Sequence, residues 1–258
     1  MLHMPMRINT LGVGVSGVGL DEAVRQVGQW VAEGRRRSVH FCTAHTVMEC
    51  LRDPRLGMVI NQADMAAPDG MPLVWLCRFH GHRGVSRVYG PDLMLALCDH
   101  SVAGGYRHFF YGGAPGVAER LAATLKERYP GLQVAGTHAP PFRPVGAMEE
   151  RSVIEAINAI DPDIIWVGLG TPKQDHWLAQ HRPLLTAPVL VAVGAAFDML
   201  SGSIPQAPRW MQRSGLEWLF RLCQEPRRLA HRYLVYNPLF LMHVFLQLTG
   251  LRQYPTDT

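Results

Sequence analysis

Five short apolar runs, separated by amphipathic stretches, constrain the fold of this 258-residue chain more than any other feature. The runs are SVHFCT (38–43), RHFFYGG (107–113), LQVAGTH (132–138), DIIWVGLG (163–170) and PVLVAVGA (188–195), and most of them end in Gly, Thr or Ala. Between them, residues 21–34, 91–105, 116–130, 148–161 and 173–181 place apolar side chains at helical spacing. Strand–helix alternation of this kind predicts parallel βαβ units: an α/β fold, with a Rossmann-like, mostly parallel sheet and helices on both faces. At 48% hydrophobic and 18% charged residues, the chain has ample material for a packed core.

The pattern changes after Ala195. A Pro- and Trp-rich hinge, SGSIPQAPRW (201–210), leads into helical sequence without strands. The expected organisation is therefore a Rossmann-like core over 1–205 and a basic, amphipathic helical appendage over 206–258, with 139–147 as the one linker. The appendage holds seven arginines against three acidic residues and so carries the whole net charge of +4. A basic tail on a neutral body points to an anionic partner such as a phospholipid surface or a pyrophosphate. Nucleic acid fits poorly, because the tail is rich in Leu, Phe and Met with few polar readers of bases.

The five cysteines are scattered and contain no CxxC pair, which suggests neither a disulfide framework nor a cysteine zinc site and fits a reducing cytosol. No cleavable signal peptide is expected from the first fifteen residues. The apolar stretch Leu239–Leu251 falls short of the ~20 residues that a spanning helix needs.

Ligands of open parallel sheets bind beyond the carboxyl ends of the strands. Five groups fall at such positions: Thr43 to His45, Asp69-Gly70, Gly112 to Gly116, Gly168 to Gln174, and Gly194 to Asp198. Glycines there let a backbone approach closely, and the helix N-termini that follow present free N–H groups to an anion, a plausible cradle for a nucleotide diphosphate. Asp69 stands out because an apolar strand hands over to an apolar helix around it, in AAPDGMPLVW. It is a candidate general base, with capping of the next helix as the alternative. Asp161-Pro162-Asp163 spells a metal-binding Asp-x-Asp, but it precedes a strand and so lies at the edge away from the ligands. A structural turn is expected there, and no metal site. There is no HExxH pair and no Walker A motif.

PDGMPLVW, RVYGPDL, FFYGGAPGVAERLAATLKERYPGLQVAGT, INAIDPDIIWVGLGTPKQDHWL, VGAAFDMLSGSIPQAPRW and GLEWLFRLCQEPRRLAHRY, in this order, resemble the WecG/TagA/CpsF family of bacterial glycosyltransferases over about residues 69–233. The resemblance implies transfer of a sugar from a UDP-sugar to a polyprenyl-pyrophosphate-linked saccharide on the cytoplasmic membrane face, with inversion and with neither metal nor cofactor. It implies Asp69 as the base and Thr43, Arg87 and Gln174 as donor or phosphate contacts. Arg87 could instead be a surface arginine paired to a helix acid, and Lys173 beside Gln174 is as readily solvated. Where the family has Asn two positions after the threonine, this chain has His45. Where the family has an arginine ahead of Ala-Pro, this chain has Gln206. Gly112, Gly113, Gly168 and Gly170 are expected at the diphosphate, and Asp198 at uridine or as a helix cap.

The resemblance also lets Arg221 and Arg228 close over the site, since guanidinium forks suit phosphate oxygens. Basic residues beside Trp218, Leu219, Phe220 and Tyr233 suit an interfacial helix among anionic headgroups. A helical pair with a solvated basic face is the plainer alternative. A homo-oligomer in which the appendage completes a neighbour's site is compatible with the sequence. The reading from a different class is a non-catalytic scaffold that binds nucleotide-sugar or lipid within a polysaccharide assembly complex.

Overall fold

The computed structural model describes residues 6–141, 143 and 146–256; Phe142, Pro144 and Val145 of the expected linker, and the two chain ends, lie outside the described residues. Along the chain the elements are β1 (Arg7–Thr10), β2 (Val13–Ser16), α1 (Leu20–Ala32), β3 (Arg37–Cys42), α2 (Ala44–Arg52), α3 (Pro54–Gln62), β4 (Met65–Pro68), α4 (Met71–Phe79), α5 (Gly90–Gly104), β5 (Arg107–Gly112), α6 (Val117–Arg128), β6 (Gln133–His138), α7 (Ala147–Ile160), β7 (Ile164–Gly168), α8 (Lys173–His181), β8 (Val189–Ala192), α9 (Ala196–Leu200), α10 (Arg209–Arg213), α11 (Glu217–Gln224), α12 (Pro226–Leu234) and α13 (Tyr236–Leu248). The strands predicted from the five apolar runs are β3, β5, β6, β7 and β8. They lie in one six-stranded parallel sheet of order β4-β3-β8-β7-β5-β6, flanked by helices.

Two compact units divide the chain: one of Met1–Leu20, Phe41–Tyr89 and Gln206–Thr258, the other of Asp21–His40 and Gly90–Pro205. In the second unit, the first half of β3 pairs with β8 through Arg37↔Val189, Ser38↔Leu190 and Val39↔Val191, followed by β7, β5 and β6. Alternate strand residues serve opposite faces. Phe109, Tyr111, Ile165, Val167 and Leu190 pack on Ile154 and Ile157 of α7 and on Trp177 and Leu178 of α8. Phe110, Trp166 and Val191 are buried on the alternate positions, with Phe110 edge-on to Phe197 of α9. Burial on both faces explains why these strands read as continuous apolar runs. Each such side chain contributes about 1.5–3 kcal/mol, against about 0–1 kcal/mol for an exposed ion pair such as Arg151–Glu155. Sheet packing, not surface charge, holds this unit.

Two contacts pair buried polar side chains in the second unit. His40 Nδ1 lies 2.8 Å from Asp175 Oδ1, and Trp166 Nε1 donates to His108 Nδ1 at 2.9 Å. Asp161 ends α7 in the left-handed conformation, φ 53°, and Asp163 accepts from the Arg107 backbone N–H at 2.7 Å. The Asp-Pro-Asp triplet thus forms the turn from α7 into β7.

The first unit is assembled from distant segments. Its core gathers Ile8, Val13 and Val15 of the β1–β2 hairpin, Val47 and Met48 of α2, Leu56 and Ile60 of α3, Leu73 and Cys77 of α4, and Tyr236, Phe240 and Val244 of α13. The Leu11 N–H donates to Gln247 Oε1 at 3.0 Å and Asn9 Nδ2 to the Tyr254 carbonyl at 2.7 Å, so the last helix and the chain after it are tied to the hairpin. The chain returns to this unit at Gln206, the start of the expected appendage.

Sequence periodicity passes over the hairpin, because its two-residue turn uses Leu11 (φ 54°) and Gly12 (φ 85°) in place of the usual Asn-Gly. Leu11, only 1% exposed, is held in that unfavourable conformation by core burial. Residues 12–17 spell Gly-x-Gly-x-x-Gly, yet Gly12 lies in this turn and Gly14 inside β2, and only Gly17 follows the strand, so the motif does not form the strand-to-helix turn that would seat a dinucleotide.

Gly112 ends β5 with φ 126°, where an added Cβ would stand 2.6 Å from the Gly168 carbonyl oxygen. Gly112→Ala is therefore expected to cost about 2–3 kcal/mol, combining a disfavoured conformation with a backbone clash. A lower midpoint in urea unfolding with an unchanged slope would match this. An unchanged midpoint would contradict it.

Candidate active site

Asp69 follows β4 directly, and its N–H donates to the Cys42 carbonyl at the end of β3 at 2.8 Å. The next residue, Gly70, is the N-cap of α4 and supplies no side-chain cap. The carboxylate does not reach back to cap α4 but turns to Arg87. Oδ1 accepts from Arg87 Nε at 3.2 Å and from Nη2 at 3.1 Å. The Arg87 segment is clipped to the same strand end, since the Val88 N–H donates to the Pro68 carbonyl at 2.9 Å.

The other edge of the guanidinium meets a second carboxylate: Arg87 Nη1 lies 2.7 Å from Glu217 Oε2, in the first turn of α11. Glu217 Oε1 accepts from the Tyr89 hydroxyl at 3.0 Å, and the Arg87 guanidinium stacks over the Tyr89 ring, 4.1 Å from its centroid. Asp69, Arg87 and Glu217 are only 12–16% exposed. Burial opposes the charge of Arg87, but Asp69 and Glu217 more than reverse this and raise its pKa above the ordinary arginine value. Burial also pushes Asp69 upward, helped by the Glu217 charge and opposed by Arg87 and Arg221, and leaves it at about 7. An acid in this range is half ionised at neutral pH, which suits a general base.

These groups line a cavity of about 430 Å³ in the first unit. Thr43 and His45 enter from the β3–α2 junction, Trp75 from α4, Trp218 and Arg221 from α11, Arg232 from α12, and Phe240 and Leu241 from α13. Thr43 is the N-cap of α2, in a reciprocal capping box with Thr46. His45 stacks on Tyr236 at 5.4 Å. Burial, reinforced by the positive charge of Arg232, lowers the His45 pKa to about 3, so its imidazole is neutral at working pH. Burial also lowers the Arg232 pKa, and its Nε has no hydrogen-bond partner among the described residues. A desolvated guanidinium in a cavity is a ready site for phosphate oxygens.

Of the site residues expected from sequence, Thr43, His45, Asp69, Arg87 and Arg221 meet around this one cavity. Arg228 is exposed and pairs with Glu225. Gly112, Gly113, Gly168, Gly170, Gln174 and Asp198 belong to the second unit. There the Gly113 N–H donates to the Gly168 carbonyl at 2.9 Å, and the Gly170 N–H donates to Gln174 Oε1 at 3.0 Å. Gln174 Nε2 donates to the Ala192 carbonyl at 3.1 Å, which ties the β7–α8 loop to β8. Asp198 sits on α9, and Lys173 is exposed. No group of three His, Cys, Asp or Glu among the described residues is placed to hold a metal ion.

Sequence reasoning missed Glu217, Tyr89 and Arg232 as members of the site. Tyr89 and Glu217 stand inside the RVYGPDL and GLEW blocks, but nothing in those letters says which side chains converge on Asp69.

The model of the Glycosyl transferase WecG/TagA/CpsF family matches residues 8–254. This chain belongs to that family. It is therefore a glycosyltransferase, and its matched span takes in both units and every residue of the cavity. A Bacillus spizizenii protein described as N-acetylglucosaminyldiphosphoundecaprenol N-acetyl-beta-D-mannosaminyltransferase is 33% identical to this family member over 180 residues, which cover 70% of this chain and 68% of the relative. A Bacillus subtilis protein of the same description is 30% identical over 171 residues, 66% of this chain and 64% of its own length.

The state of Asp69 has a consequence for stability. Its pKa in the fold, about 7, lies above the ~3.9 of an unfolded aspartate, so ionisation costs stability as pH rises between those values. Asp69→Asn is expected to match the wild type near pH 4 and to gain on the order of 4 kcal/mol over it by pH 8. Chemical unfolding at the two pH values measures this, and equal differences at both would contradict it.

Proposed function

We propose that this chain is an inverting, metal-independent transferase that moves a hexose-type sugar from a UDP-sugar to a polyprenyl-pyrophosphate-linked saccharide in cell-surface polysaccharide synthesis. The two Bacillus relatives suggest N-acetylmannosamine as the sugar and N-acetylglucosaminyl-diphospho-undecaprenol as the acceptor. The observation that carries the reading is the Asp69 carboxylate, held by Arg87 in a cavity that Arg221 and Arg232 also line.

In the proposed step, the acceptor hydroxyl oxygen attacks the anomeric carbon while Asp69 takes its proton. The bond from that carbon to the diphosphate oxygen breaks, and UDP departs with the electron pair. Negative charge grows on the leaving diphosphate, where guanidinium donors lower the barrier. Attack opposite the leaving group turns an α-linked donor into the β product that the relatives' names record. Thr43 and His45 bound the sugar in this reading. For Gly112, Gly113, Gly168, Gly170, Gln174 and Asp198 the proposed role is contact with the nucleotide, and for Arg228 it is contact with pyrophosphate or headgroups.

A membrane surface as partner is supported by α13. Its inner face, Tyr236, Phe240 and Val244, is buried, but its outer face carries Leu241, Phe245 and Leu248 at 64%, 61% and 44% exposure, where a solvated helix would be polar. No helix among the described residues is long and apolar enough to cross a membrane. Arg227 and Arg228 are exposed on the neighbouring α12. Apolar insertion beside basic residues gives reversible binding to anionic headgroups.

Release of UDP from UDP-N-acetylmannosamine, with a short-chain lipid-pyrophosphate N-acetylglucosamine as acceptor, tests the chemistry. The expected result is turnover that survives EDTA, rises through pH 7 and falls about 10²–10⁴-fold in Asp69→Asn. Full turnover in that variant would remove Asp69 as the base, and loss of turnover with EDTA would overturn the metal-free mechanism. For the surface, Phe245→Glu with Leu248→Glu should abolish co-sedimentation with phosphatidylglycerol vesicles, and undiminished binding would count against α13 as the contact.

A further inference from the structure

A lone arginine clamped on an aspartate makes a poor base of it. The nearby positive charge typically lowers the aspartate pKa by about 1–3 units and leaves a carboxylate with little appetite for a proton. Arg87 grips Asp69 in this manner, through Nε and Nη2. Its remaining edge, however, is given to Glu217 at 2.7 Å. Glu217 is fixed from two sides, by Arg87 and by the Tyr89 hydroxyl, and it begins α11, where the helix dipole favours an anion. One guanidinium charge is thus divided between two carboxylates.

We propose that Glu217 is a positioning residue of the transfer reaction: by holding the outer edge of Arg87, it keeps that guanidinium from fully neutralising Asp69 and so keeps Asp69 a competent base. The inference rests on the reading of Asp69 as the base. Glu217 itself needs no contact with substrate, because it acts through Arg87 and through its own charge. The other groups that face Asp69 are Arg221 on α11 and Arg232 on α12, both positive, and Tyr89. His45 on α2 lines the same cavity but is neutral. Glu217 is the negative charge in this set that opposes the three arginines: burial and the Glu217 charge push the Asp69 pKa up, while Arg87 and Arg221 pull it down.

The test is the pH dependence of kcat for wild type, Glu217→Gln and Asp69→Asn in the UDP-release reaction. Removing one like charge is expected to move the acidic limb down by about one pH unit and to lower the high-pH plateau several-fold, because a weaker base accepts the proton less readily. A reduced plateau with an unmoved limb would make Glu217 a structural residue only and overturn the proposal. Should Glu217→Gln fail to fold, Tyr89→Phe keeps both carboxylates and removes only the hydroxyl that neutralises Glu217 Oε1. Its limb should move upward, and an unmoved limb overturns the proposal equally. Asp69→Asn separates the two readings. Turnover and acidic limb both retained would show that Asp69 is not the base, whereas a limb lost there but unmoved in Glu217→Gln would leave the base in place and remove only the role of Glu217.

Discussion

One guanidinium serving two carboxylates is the interaction on which the site depends. Without Arg87, Asp69 and Glu217 would face each other as buried like charges, and without Glu217 the arginine would belong to Asp69 alone. Burying an unpaired charge costs several kcal/mol, so Arg87 is the member that the other two cannot lose. Burial, helped by the Glu217 charge and opposed by Arg87, gives Asp69 an affinity for protons near neutrality, where an exposed aspartate has none.

The triplet draws on three parts of the chain. Asp69 comes from the end of β4, Arg87 from the segment after α4, and Glu217 from a helix far downstream in sequence. What lets them meet is the mixed origin of the first unit, in which α13 packs on the same core as the N-terminal hairpin, α2, α3 and α4. The helices beyond Gln206 have two duties in consequence. Their inner faces complete a core and a cavity, while the outer face of α13 leaves Phe245 and Leu248 to the surroundings. Under the proposed reading both have a use, since a lipid-linked acceptor would bring its reactive hydroxyl to the site attached to a membrane.

The glycines at the strand ends are governed by a different constraint. Gly112 stands against Gly168, and a Cβ on Gly168 would lie 2.7 Å from the Phe197 ring. Their smallness is required by close packing whatever ligand they meet. Gln174 likewise uses both ends of its amide within its own loop and β8. Side chains that look like ligand contacts in the sequence are thus also structural parts of the second unit.

The alternation of apolar runs with amphipathic segments determined the parallel sheet and its flanking helices, because strands buried on both faces must be apolar along their whole length. The proline–glycine setting of Asp69 likewise marked a carboxylate at a strand end, and the sequence blocks around it marked the family. Only the tertiary structure decided that Asp69 turns to Arg87 and away from the α4 cap, that Glu217, Tyr89 and Arg232 join it, and that Leu11 holds a tight hairpin turn. Those outcomes depend on which distant side chains share a desolvated volume, and periodicity along the chain reports the face a residue occupies, not the charge it will meet there.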